Sequence, residues 1–212
     1  MSYNKFKIKN LEENLLLDIV QKAWLPETFE PFAADLLLNQ ILAFAETEAL
    51  MTEKARSEFV ISPTLQALRR RNFDKFSIFS GYEFTIDKSL NLSGFCDYIL
   101  SLAVNKVTVS APVFFVVEAK RLDITDNAIA QCSAEMYAAA LFNKQQVDKQ
   151  QAKSQKVIYG AVTSAFSWCF LKLEGQTLSI DRNYIPLTLR NPYPVLAVLQ
   201  YLLDDTLREN AK

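Results

Sequence analysis

In the stretch ADLLLNQILAFAETEALM, apolar residues fall at positions 37, 38, 41, 42, 45 and 49. This is the spacing of one helical face and predicts an amphipathic helix over about 35–50. EKARSEFVISPTLQALRRR keeps a helical pattern, with Ser62-Pro63 either capping and opening a second helix or kinking a single one. Both versions place Arg69, Arg70 and Arg71 at a helix C-terminus, where the macrodipole favours cations. From Phe76 the period changes to two: FSIFSGYEFTID alternates as a half-buried strand, DKSLNLSG supplies turn residues, and GFCDYILSLAV reads as the next strand. Val113 to Val117 form an unbroken β-branched and aromatic run opened by Pro112, which predicts a buried central strand. DNAIAQCSAEMYAAALFNKQQ returns to a helical pattern with Asp126 or Asn127 as N-cap, and NKQQVDKQQAKSQK reads as a loop or a fraying helix end. KVIYGAVTS is a further strand, WCFLKLEGQTLSID a hairpin around Glu174-Gly175-Gln176, and YPVLAVLQYLLDDTL a closing helix. The order predicts an α/β (α+β) sandwich, a central sheet flanked by helices, in a single domain over residues 1–212.

Composition narrows the chemistry. Half of the 212 residues are hydrophobic and there are only 4 Gly and 7 Pro, a balance that suits a packed core. The first twenty residues interleave Lys, Glu and Asp with apolar positions, and no stretch approaches the roughly 18 uninterrupted apolar residues of a membrane span. A cytoplasmic location is therefore expected. Cys96, Cys132 and Cys169 are widely spaced in apolar sequence, which suits reduced thiols. With no histidine anywhere, Ser-His-Asp and Cys-His sites and His-ligated zinc are excluded, and any acid or base is a carboxylate, Lys, Tyr or Cys. The net charge of −1 gives no global pull toward nucleic acid, so such a partner requires a local basic surface.

The charges that end the apolar strand carry the candidate chemistry. Alternate strand residues share a face, so Glu118 and Lys120 point the same way, as do Phe95, Asp97 and Ile99. Paired as an antiparallel hairpin, the two strands set Asp97 across from Glu118 and Lys120. Two carboxylates so close call for a cation, and Mg2+, with Mn2+ as substitute, takes carboxylate and carbonyl oxygens. Asp97, Glu118 and the main-chain carbonyl of Ala119 are its expected ligands. Lys120 would orient a water for attack on phosphorus, since neighbouring carboxylates hold its ammonium protonated. The bland alternative is a cross-strand ion pair.

GFCDYIL (94–100), VFFVVEAK (113–120) and the helix opening IAQCSAEMYAAA (129–140) together resemble the PD-(D/E)XK nuclease superfamily, the restriction-endonuclease-like fold. Asp97, Glu118 and Lys120 match its core motif, Gln131 resembles the glutamine of the helix that follows, and Cys96 stands where the family has Pro. YGAVTSAFSWCFLKL resembles the strand and aromatic hairpin in nuclease domains of type I restriction motor subunits and related bacterial proteins. The resemblance covers about residues 50–173. It implies a restriction-endonuclease-like mixed sheet, a Mg2+-dependent nuclease acting on DNA, and a helical acid, for which Glu58 is the choice and Glu53 and Glu48 the competitors. Arg69 to Arg71, Arg121, Lys144, Lys149, Lys153 and Lys156 are the cations available to face phosphates. The first 34 residues and the last helix lie outside the motif and are expected to serve packing or a homodimer, with the helix at 35–50 as its contact.

Two other classes compete. A non-catalytic binding or scaffold protein of the same fold is favoured by a Lys120 pinned in an ion pair or a closed pocket. A thiolate enzyme using Cys96 or Cys132 is disfavoured by apolar surroundings and the absent histidine.

Overall fold

The computed structural model describes residues 2–149 and 154–211. A short 3-10 turn at Tyr3–Lys5 leads into α1 (Ile8–Leu15) and β1 (Asp18–Gln21), and α2 (Leu36–Ala45) follows. Asp35 caps α2, its side chain accepting from the Leu38 N–H at 2.8 Å. The helix stops at Ala45 rather than near 50. The Thr47 hydroxyl donates to the Phe44 carbonyl, and Thr52 caps a new helix by accepting from the Ala55 N–H. Such local side-chain bonds compete with helix propagation, which apolar spacing does not reveal.

Residues 53–71 then run as α3 (Glu53–Arg56), a wide π turn (Ser57–Ile61) and α4 (Ser62–Arg71). Pro63 sits in the first turn of α4, after the wide turn, so the proline marks a distortion within one helical run. The triple arginine ends it as expected.

The strands are β2 (Ser77–Glu83), β3 (Phe95–Ser101), β4 (Val113–Ala119), β5 (Val157–Thr163), β6 (Ser167–Glu174), β7 (Thr177–Ile180) and β8 (Ile185–Pro186). α5 (Asp126–Asp148) crosses between β4 and β5, and α6 (Tyr193–Ala211) closes the fold. Thr125, one residue before the expected cap, is the N-cap of α5, because its hydroxyl reaches the Ala128 N–H at 3.3 Å. The polar stretch over 143–156 continues α5 to Asp148, and its residues 150–153 lie outside the described residues.

The strands form one mixed sheet in the order β1-β7-β6-β5-β4-β3-β2, with β8 against β6. β4 pairs antiparallel with β3 and parallel with β5. β1, which the sequence pattern did not predict, adds parallel to β7. One apolar layer packs α2, α4 and α6 on one face (Leu38, Leu65, Leu68, Leu199, Leu202), and the other sets α1 and α5 against the opposite face (Leu11, Ile129, Met136). The result is the expected α/β sandwich, and every residue of β4 is buried.

Two contacts fix α5 on the sheet. Asn143 holds the start of β4 with both ends of its amide, accepting from the Val113 N–H at 2.8 Å and donating to the Val113 carbonyl at 2.6 Å. Gly160 of β5 lies so close to α5 that an added Cβ would collide with Met136 and press on Cys132. Helix and sheet can meet at this distance because the strand carries no side chain there.

Candidate functional site

The antiparallel pairing of Tyr98 with Val117 and Ile99 with Val116, continued by one residue, sets Asp97 opposite Glu118. Asp97 turns its carboxylate onto the end of β4, where Oδ2 accepts from the Ala119 N–H at 2.7 Å. Lys120, just past β4, is anchored through its own N–H to the Thr163 carbonyl of β5 at 2.7 Å. The hairpin thus brings together Asp97, Glu118 and Lys120 as the sequence predicted.

α5 completes the cluster. Lys120 Nζ donates to Glu118 Oε1 and reaches Gln131 Oε1 at 3.3 Å. Gln131 in turn donates through Nε2 to Glu135 Oε1 at 3.2 Å. Glu135 stands one helical turn beyond Gln131, wholly buried, and its carboxyl bonds that of Glu118 when one of them is protonated. Glu118, Lys120, Gln131 and Glu135 therefore close a ring of polar groups beneath the end of β4. Sequence reasoning missed Glu135. Its signal was the four-residue spacing from Gln131, which places both on one helix face.

The electrostatics are strained in one direction. Burial, and then the charge of Asp97, raise the Glu118 pKa well above the usual carboxylate range. Burial raises Asp97. Burial and the charge of Glu118 raise Glu135 strongly. Burial works to lower the Lys120 ammonium's pKa, but the Glu118 carboxylate beside it outweighs this and leaves it raised. Lys120 is therefore a cation, suited to positioning and not to proton abstraction. One oxygen each of Glu118 (Oε2) and Glu135 (Oε2) is buried and, apart from a proton shared between the two carboxyls, receives no hydrogen bond among the described residues. A buried carboxylate oxygen without a donor is costly unless a proton or a cation serves it.

Glu58, the expected helical acid, does not join this cluster. It is exposed and pairs along its own helix with Lys54 at 3.7 Å. Glu48 is likewise exposed, in the turn after α2. Glu53 is the helical acid whose charge is felt at both Asp97 and Lys120. The cysteines are buried thiols pushed away from ionisation by their apolar surroundings, which removes the support for a thiolate enzyme.

The donors fit one hard divalent cation in kind: the Asp97 and Glu118 carboxylates, with an unserved buried oxygen, beside the Ala119 main chain. Among the described residues, no three His, Cys, Asp or Glu side chains are grouped so as to hold a metal. An ion here would keep most of its waters, as Mg2+ does in sites with one or two carboxylates.

No family model matches the chain, and no curated protein matches it. The class that fold and site define is a mixed α/β sandwich with a carboxylate-lysine cluster at the end of its buried strand.

Proposed function

We propose that the chain is a Mg2+-dependent phosphodiesterase acting on nucleic acid, DNA in the first place. Asp97, Glu118 and the main-chain carbonyl of Ala119 are its metal ligands. The observation that carries this reading is the opposed pair Asp97 and Glu118, crowded at the end of β4, with a buried Glu118 oxygen that no amide, hydroxyl or ammonium among the described residues serves. A bound divalent cation supplies neutralising charge for phosphate oxygens and a lowered pKa for water. Lys120, held protonated by Glu118, donates to a phosphate oxygen and orients the attacking water. Gln131 holds the Lys120 ammonium in place from α5. Phosphoryl-transfer sites need little beyond positioned charge, so the lack of histidine is no obstacle. Cutting both strands suits a dimer, and the exposed Leu37 and Phe44 of α2 offer a two-fold contact.

Isothermal titration with Mn2+ on the wild type and Asp97→Ala, followed by cleavage assays on plasmid DNA and RNA, tests this reading. Binding and cleavage lost together in Asp97→Ala are expected. Absence of binding by both proteins, with and without nucleic acid, overturns it. A second reading, a non-catalytic binding module, is favoured by the Lys120–Glu118 ion pair and by the lack of a three-side-chain metal group among the described residues.

A further inference from the structure

The far end of the same hairpin holds a second charged feature. Arg69, in the last turn of α4, packs its guanidinium over two rings, 5.3 Å from the centre of Phe73 and 5.8 Å from that of Phe76. Its Nη1 is buried and finds no acceptor among the described residues. Its two neighbours are differently placed: Arg70 pairs with Asp35 at 2.7 Å, and Arg71 stacks on Phe32 at 4.7 Å. An arginine cannot shed its charge by deprotonation, so partial burial without an acid leaves a cation that the fold itself does not compensate.

Arg69 opens into a groove of about 290 Å³ that also presents Lys106, Gln66, Asn105 and Ser77. No Asp or Glu is among the described residues that line it. Two cations, two amides and a hydroxyl, with aromatic rings shielding one face of the guanidinium, form a donor-rich pocket for an oxyanion. We infer that this groove is a phosphate-binding site that holds the backbone of the nucleic-acid substrate away from the reacting bond. Ser77 pairs with Ser101, four residues along β3 from Asp97. At about 3.3 Å per residue the groove lies roughly 13 Å from the carboxylates along the strand. Because α4 lies on the sheet face opposite α5, a bound chain would have to wrap the β2 edge to reach both. The phosphate chemistry rests on the groove alone, and the nucleic-acid occupant rests on the function proposed above.

The test separates the two. In EDTA, so that no cleavage occurs, the affinity of a fluorescein-labelled DNA oligonucleotide is measured by anisotropy against salt for wild type, Arg69→Gln and Lys106→Gln. Inorganic phosphate binding to the same proteins is followed by amide NMR shifts. Loss of about ten-fold in DNA affinity, a salt slope reduced by about 1, and loss of phosphate-induced shifts around Asn105 in Arg69→Gln are expected. Lys106→Gln alters an exposed loop residue and should show the same direction without any change in thermal stability, which guards against a folding effect of Arg69→Gln. If phosphate binds through Arg69 but DNA does not bind, the nucleic-acid occupant is overturned and a small-anion site remains. Indistinguishable affinities and shifts in all three proteins overturn the site itself. Cleavage with Mn2+ reports separately on the carboxylate cluster, so an inactive protein that still binds DNA through Arg69 counts against the hydrolase and not against the groove.

Discussion

Glu135 is the residue on which the cluster's balance turns, since it is fully buried beside Glu118 and bonded through Gln131 and, when one of the two carboxyls is protonated, to Glu118. Replacing it by Gln removes a carboxyl whose ionisation burial and the Glu118 charge oppose, while keeping the shape and the bond to Gln131. Glu135→Gln should therefore raise the melting temperature of the metal-free protein at pH 8 by about 2–4 °C, the scale of 1 kcal/mol in a domain of this size. An unchanged or lowered melting temperature would mean that the Glu118–Glu135 repulsion is not a destabilising term. Lys120→Ala should do the opposite. It strips Glu118 of the ammonium paired with it and leaves the carboxylate buried, a loss of about 3–5 kcal/mol, measurable by urea denaturation. Asp97, Glu118 and Lys120 were legible because strand alternation and one buried apolar run bring them to one end of one hairpin. Glu58 stands apart from the cluster for a physical reason. Three glutamates five residues apart look alike in sequence, and which of them faces the hairpin depends on where α3 begins and on the π turn behind it.

At the scale of elements, the site depends on how α5 lies against β4 and β5. Gly160→Ala puts a methyl into Met136 and Cys132 and forces the helix off the strand, so a loss of about 1–3 kcal/mol is expected from overpacking. Because Gln131 and Glu135 ride on the same helix, Mn2+ affinity at the cluster should fall along with stability. Wild-type Mn2+ affinity in a destabilised Gly160→Ala protein would separate helix position from the site. The elements with long periodic patterns, α5, α6 and β4, were readable from the chain. The early stop of α2 and the cap of α5 were not, because single hydroxyls at Thr47 and Thr125 set them. The N-terminal strand β1 escaped for another reason. Four residues of mixed character become a strand only because β7 offers an open edge.

For the whole molecule, the three raised carboxyl groups make stability depend on pH with a definite sign. Each has a folded pKa above its unfolded value, so between about pH 4.5 and the folded value, about 8 for Glu118, the folded state holds more protons than the unfolded one. Stability therefore falls as pH rises through that window, by about 1.4 kcal/mol per pH unit for each proton held. Urea denaturation from pH 5 to 8 should show this decline, flattened by saturating Mn2+ if the cation takes over the role of the protons. A stability that climbs with pH across the window would contradict the crowding of carboxylates at the site. The sequence alone determined that the chain folds as an α/β sandwich, that its most apolar run is a central strand, and that an Asp, a Glu and a Lys end the hairpin there. Those features follow from local periodicity and residue chemistry. The closed ring through Glu135, the exclusion of Glu58 and the uncompensated Arg69 were decided only by tertiary structure. Burial and charge balance are properties of neighbours distant in the chain, and no local pattern encodes them.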